Sequence, residues 1–113
     1  MTLLRGEVYL ANLNPQKKPN EIGKLRPVVV VQSDFINENG YPTTIVVPLS
    51  TKLIDDVFPL RYRITKREKL HYDSDALIAH IRAIDNSRFV EKIASLLPQE
   101  IEEIRRGIEE VIS

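Results

Sequence analysis

Apolar positions recur at a spacing of two along most of this chain, and at helical spacing only at its C-terminal end. GEVYLANL (6–13) puts Val8 and Leu10 on one side and Tyr9 and Ala11 on the other, which predicts a half-buried strand. PVVVVQSD (27–34) predicts a central strand with Pro27 at its first position, where a missing N–H does least harm. TTIVVPLS (43–50) predicts the next strand, its β-branched run ending at Pro48. In FPLRYRIT (58–65), Phe58, Leu60, Tyr62 and Ile64 face one way and Arg61 and Arg63 the other, the pattern of an antiparallel strand buried on one face. SDALIAHIRAID (74–85) has a strand-like apolar centre, and its length calls for a bend or bulge near Ile81.

The connections read less uniformly. Asn14 to Lys24 carries Pro15, Pro19, Asn20 and Gly23, all loop signals, and is long for a link between two strands. NENGYP (37–42) contains Asn-Gly and predicts a turn. NSRFVEKIASLL (86–97) fits a helix through Phe89, Ile93, Leu96 and Leu97, and also a bent strand from Val90 onward. The last element is a helix. Pro98 suits its first position, and Glu100, Glu102 and Glu103 suit its positive end. Ile101, Ile104, Ile108 and Val111 form its apolar stripe, and Gly107 sits inside it where close packing on the sheet would use the missing side chain. Short strands followed by one helix predict a mainly β fold: a twisted, barrel-like sheet with a docked terminal helix.

Length and composition fit one soluble domain over residues 1–113, with 42% hydrophobic and 28% charged residues. No apolar run is long enough to span a membrane. MTLLRGEVYL lacks the plan of a secretory signal, and the chain has no cysteine; a cytoplasmic location is expected. The net charge of zero hides an asymmetry. Residues 98–113 hold five acids and two bases, whereas Lys17, Lys18, Lys24 and Arg26 cluster in one segment and Arg61, Arg63, Lys66, Arg67 and Lys69 in another. The two basic segments are either one phosphate-attracting groove or two solvated loops, and formal charge does not choose between them.

Several chemistries find no support. His71 and His80 are the only histidines, and their separation is not the spacing of a metal-binding helix face. No phosphate-binding glycine loop or nucleophile elbow occurs. Asp73 and Asp75 read as a turn before a strand rather than a cation site. No cofactor and no metal are expected.

One ordered set of segments carries a resemblance. RGEVYLANLNP (5–15), a polar loop with Glu21, GKLRPVVVVQSD (23–34), IVVPLST (45–51) and IRAID (81–85) resemble, in order and at similar spacing, the MazF/PemK family of toxin ribonucleases. The resemblance implies an SH3-like β-barrel of the MazF/PemK/CcdB type with a terminal helix, forming a homodimer. It also implies a short helical turn near 85–88 followed by a strand over about 90–96. The implied activity is sequence-specific, metal-independent cleavage of single-stranded RNA, in which the 2′-hydroxyl attacks and leaves a 2′,3′-cyclic phosphate and a 5′-hydroxyl. The implied partner is a MazE-like antitoxin whose disordered C-terminal tail fills the RNA groove.

The same resemblance assigns roles by position. Arg26 matches the catalytic arginine, and its planar, permanently charged fork suits a phosphorane. Ser50 aligns with an assisting threonine, with Thr51 beside it as a second hydroxyl. Glu21 matches a loop glutamate that serves as base or orienting group. Lys17, Asn20, Lys24, Thr51, Lys52 and His80 are expected to contact RNA. Two departures stand out. The loop reads Pro19-Asn20-Glu21-Ile22 where the family commonly has Gly-Ser-Glu-Gln, and Ala79-His80 replaces an acid followed by glutamine. Ala79 cannot transfer protons; His80 either takes over part of that work or packs at an interface. The alternatives are a CcdB-like gyrase-binding toxin on the same fold and a catalytically silent RNA-binding relative.

Overall fold

The structure is a computed structural model that describes residues 2–13 and 25–113. Its elements run β1 (Glu7–Asn12), β2 (Leu25–Val30), α1 (Asp34–Glu38), β3 (Thr43–Ser50), β4 (Arg61–Ile64), β5 (Ser74–Leu77), β6 (Arg82–Asp85), β7 (Phe89–Ser95) and α2 (Pro98–Ile112). Single 3-10 turns join β5 to β6 (Ile78–His80) and β6 to β7 (Asn86–Arg88). All strand pairs are antiparallel, in the order β4-β5-β3-β2-β1-β7, with β6 also on β3. The sheet curls but does not close into a barrel: β4 and β7 form no ladder. The loop after β4 bridges the gap instead, since the Lys69 N–H donates to the Ile93 carbonyl at 2.9 Å.

Two apolar clusters lie on opposite faces of the same central strands. Val8, Val29, Val47, Leu49, Ile64, Ile78, Ile93 and Ile104 join the inside of the curl to α2. Tyr9, Ala11, Val28, Val30, Val46, Ile84 and Phe89 form the other, where the Tyr9 and Phe89 rings meet edge to face at 5.6 Å. The alternation in β1 therefore holds, but the strand is buried on both faces rather than half-buried. Helix α2 docks its isoleucine stripe as expected. At Gly107 an added β-carbon would lie 2.6 Å from Ile78 Cδ1, so the glycine does permit close approach.

Other expectations change in detail. β2 starts two residues earlier than the apolar run, with Pro27 at its third position, and β3 pairs with it only from Val28 onward. Pro27 thus occupies a stretch with one open side, where a missing N–H is tolerated. Ser33, read as strand, is the N-cap of the short α1, its hydroxyl accepting the Phe35 N–H at 3.2 Å. β4 covers only Arg61–Ile64; Phe58 and Leu60 are exposed and precede the strand. The predicted long strand at 74–85 is two strands, and the turn at 78–80 drives Ile78 into the core against α2. At 86–97 the turn-then-strand reading holds, not the helical one.

Candidate active site

Strand register sets the geometry at one end of the sheet. Arg26, the second residue of β2, pairs with Ala11 on β1, so its backbone is fixed by the ladder while its side chain is exposed. Val28 pairs with Pro48 on β3 as the last pair of that ladder, so Arg26 and Ser50 each lie two residues beyond it on their own strands. Ser50 itself pairs with Asp75 on β5, and Asp75 with Arg63 on β4. Ser50, Asp75 and Arg63 therefore form one row across three strands, on the face away from the helix-side core, and Arg26 lies at the same end of the sheet, beyond the β2–β3 ladder.

At this end of the sheet the charges are treated differently. Asp75 is buried, and its carboxylate accepts from Arg63 Nε at 2.6 Å, Arg61 Nη1 at 3.1 Å and the Ile54 N–H at 2.8 Å. Burial pushes the Asp75 carboxyl up, but the bonds from Arg63, Ile54 and Arg61 outweigh it and hold the group below its ordinary value. Arg61 also donates to the Lys52 carbonyl, and Arg63 to Asp55. Asp75 thus ties down the segment that follows Ser50. The Ser50 hydroxyl accepts the Lys52 N–H at 3.1 Å, which leaves its own proton to donate outward. The Arg26 side chain has no hydrogen bond or ion pair among the described residues.

The basic stretch at 61–69 is largely neutralised, which removes it as half of a free cationic groove. Besides Arg61 and Arg63, Arg67 donates to both oxygens of Glu100, and Lys69 pairs with Glu91 at 3.0 Å. Lys66 alone in that stretch has no ion pair among the described residues. The Glu100 contact is structural: the carboxylate, at the third position of α2, also takes the Leu97 N–H at 2.7 Å and so fixes the helix start against the loop after β4. The bonds from Arg67 hold the Glu100 carboxyl below its ordinary value despite burial. Because both buried carboxyls have lowered values in the folded state, their contribution is present above the usual carboxylate range and lost as pH falls through the lowered values. Thermal stability should therefore fall steeply below about pH 4, and the Glu100→Gln variant should show a shallower acid dependence. Equal slopes for both proteins would contradict this assignment.

The predicted site residues divide three ways. Arg26, Ser50, Thr51 and Lys52 come together at the same end of the sheet. Thr51, however, lines a hollow with Leu10 and Pro27, on the face away from Arg26 and Ser50. His80 ends the turn between β5 and β6, exposed and with no side-chain partner among the described residues, and it does not join the row. Lys17, Asn20, Glu21 and Lys24 lie outside the described residues. Among the described residues, no three His, Cys, Asp or Glu side chains converge as a metal site, and no helix is long and apolar enough to cross a membrane. Asp75, read from the sequence as part of a turn, lies instead in β5 as the buried partner of Arg61 and Arg63. Its signal was the alternation of Arg61 and Arg63 facing an acid at the head of an apolar run.

A family model for the PemK-like, MazF-like toxin of type II toxin–antitoxin systems matches residues 4–112. This chain belongs to that family. The toxin is 36% identical over 106 residues to the endoribonuclease MazF of Staphylococcus saprophyticus subsp. saprophyticus, spanning 93% of this chain and 87% of that protein. Its fold is similar to MazF in a MazE–MazF crystal structure (Form II) from Deinococcus radiodurans, with a TM-score of 0.79, 19% identity, and 99% and 96% of the two chains covered. It is also similar to the Mycobacterium tuberculosis toxin MazF-mt6, with a TM-score of 0.75, 15% identity, and coverage of 93% and 94%. At these identities the structural likeness concerns the fold of the toxin alone.

Proposed function

We propose that this toxin is an endoribonuclease that cuts single-stranded RNA at a phosphate held between Arg26 and Ser50. The observation that carries the reading is the ladder-fixed Arg26, exposed and without a side-chain partner among the described residues, at the end of the sheet where β3 closes on Ser50. In the reaction the ribose 2′-oxygen attacks the adjacent phosphorus and loses its proton, the bond to the 5′-oxygen breaks, and that oxygen takes up a proton. The products are a 2′,3′-cyclic phosphate and a 5′-hydroxyl. Arg26 stabilises the charge that builds on the phosphorane, and its fork geometry favours the two equatorial oxygens. Ser50 adds one neutral donor. Glu21, assigned by family likeness, serves as base or orienting group. Lys17, Asn20, Lys24 and Lys52 bind the RNA backbone around that point, and His80 contacts a more distant part of the strand.

Under this reading the toxin works as a homodimer and is restrained by an antitoxin, as the type II family and the crystal forms of relatives named MazE–MazF support. An extended acidic and apolar tail suits a groove made for phosphates and bases. Incubating the pure protein with long single-stranded RNA in excess EDTA tests the activity. Fragments that vanish with Arg26→Ala are expected. Bound but intact RNA would point to a silent RNA-binding relative, and neither binding nor cutting to a gyrase-type toxin. Cleavage that requires a divalent ion would remove the proposed mechanism.

A further inference from the structure

Two arginines of β4 share the buried Asp75, but they use their remaining donors differently. Arg63 Nη2 donates to Asp55, a carboxylate that is itself exposed. Arg61 Nη1 donates both to Asp75, at 3.1 Å, and to the Lys52 carbonyl, at 2.8 Å. The same Lys52 gives its N–H to the Ser50 hydroxyl at 3.1 Å. Lys52 is thus pinned on both sides of its α-carbon, by the Ser50 hydroxyl on one and by Arg61 on the other. Residues 52–56 belong to no strand or helix, and among the described residues no backbone–backbone hydrogen bond reaches them. Asp75 also takes the Ile54 N–H at 2.8 Å, so the arc that follows β3 hangs on one buried carboxylate.

We propose that Arg61 is a positioning residue for cleavage: held by Asp75, it fixes the Lys52 backbone and so aims the Ser50 hydroxyl; the inference rests on the RNA-cleaving reading above. A serine side chain chooses among staggered rotamers, and its hydroxyl proton rotates to suit its surroundings. Accepting the Lys52 N–H selects one rotamer and occupies one lone pair, which narrows the proton to outward directions. That choice is only as firm as the position of Lys52, which lies beyond the end of β3. Arg61 supplies the firmness because its own base is rigid. Its backbone is fixed by the pair with Leu77 on β5, and Asp75 holds its guanidinium. A hydroxyl aimed in advance donates to the phosphorane without first giving up rotamer freedom. Arg63 is the control built into the same structure: it shares β4 and Asp75, but its second contact is the Asp55 side chain, farther along the arc. The effect also has a ceiling, since a residue that acts only through Ser50 cannot matter more than Ser50 itself.

The test compares Arg61→Met with Arg63→Met, each alone and combined with Ser50→Ala, in single-turnover cleavage of one RNA oligonucleotide over a range of protein concentrations. The rate at saturation is thereby separated from the concentration of half-saturation. Urea unfolding of each variant reports what the lost bond to Asp75 does to the fold. Arg61→Met is expected to lower the saturated rate about three- to tenfold, the scale of one neutral hydrogen bond, with half-saturation little changed. Arg63→Met should also unfold at lower urea, yet cut at close to the wild-type rate. In the Ser50→Ala background, Arg61→Met should slow cleavage no further. Equal slowing by the two arginine variants would show a loosened sheet and nothing more, and multiplying losses from Arg61→Met and Ser50→Ala would show independent action; either result overturns the proposal. A change confined to half-saturation would overturn it too, by assigning Arg61 to RNA binding through Lys52. Should Arg61→Met fail to fold, Arg61→Lys takes its place: it keeps a charge beside Asp75 without the second arm that reaches the Lys52 carbonyl, and the same loss at saturation is expected. Wild-type protein that cuts no RNA, or Ser50→Ala that cuts at the wild-type rate, would instead overturn the reading on which the inference rests.

Discussion

Replacing Arg26 by alanine is expected to slow RNA cleavage by about 100- to 1000-fold, the usual consequence of losing one donor aimed at transition-state charge. The loss should fall mainly on kcat, because the guanidinium meets more charge on the phosphorane than on the ground-state phosphodiester. Arg26→Lys should also be severely impaired: it keeps the charge but not the planar pair of donors. Folding should be unaffected, since the side chain is exposed and unpartnered among the described residues. Ser50→Ala is expected to cost less, as it removes a single neutral donor. Single-turnover cleavage of one oligonucleotide separates the variants, and near-wild-type turnover by Arg26→Ala would take Arg26 out of the site.

The second large effect concerns stability. Asp75→Ala leaves Arg61 and Arg63 without their shared buried counter-charge and frees the Ile54 N–H. Breaking a buried pair by removing one partner typically costs about 3–5 kcal/mol, a large share of the stability of a chain this size. Urea unfolding should show it as a much lower midpoint with an unchanged slope. Asp75→Asn retains an acceptor for Ile54 and should lose less. In that milder variant the segment after Ser50 is loosened, so cleavage should also slow. A midpoint shift worth less than about 1 kcal/mol in Asp75→Ala, the scale of an exposed ion pair, would show that the arginines find other partners.

Much of the fold was legible because pattern and packing agree there. β3 matches its predicted bounds, since a β-branched run buried in the middle of a sheet leaves little freedom of register. Helix α2 matches because Pro98, the early glutamates and the isoleucine stripe all point to one start and one face. The misses have tertiary causes. Phe58 and Leu60 continue the alternation of β4, yet the ladder stops at Arg61 because β5 ends at Leu77 opposite it. Residues 74–85 read as one strand because each half is apolar. The break comes from the helix that Ile78 must meet. Ser33-Asp34 was a capping signal masked by the valine run before it.

The site was legible in its chemistry and not in its charge balance. Arg26 before a buried strand, with hydroxyls ending the next, could be found by likeness and spacing. That four of the five cations at 61–69 would be paired was less legible, because Asp75 meets Arg61 and Arg63 only in the β4–β5 register, and Glu91 and Glu100 reach Lys69 and Arg67 only through the curl of the sheet. Thr51 faces away from Ser50 because neighbouring residues of an extended chain point to opposite sides.

The most direct measurement of the central claim is cleavage of an oligoribonucleotide carrying a single 2′-deoxy residue at a mapped cut site, in excess EDTA. The account predicts that the deoxy position stays uncut while the all-ribose control is cleaved to a 2′,3′-cyclic phosphate and a 5′-hydroxyl, because the attacking oxygen is the substrate's own. Efficient cutting at the deoxy position, or a 3′-hydroxyl product, would contradict it.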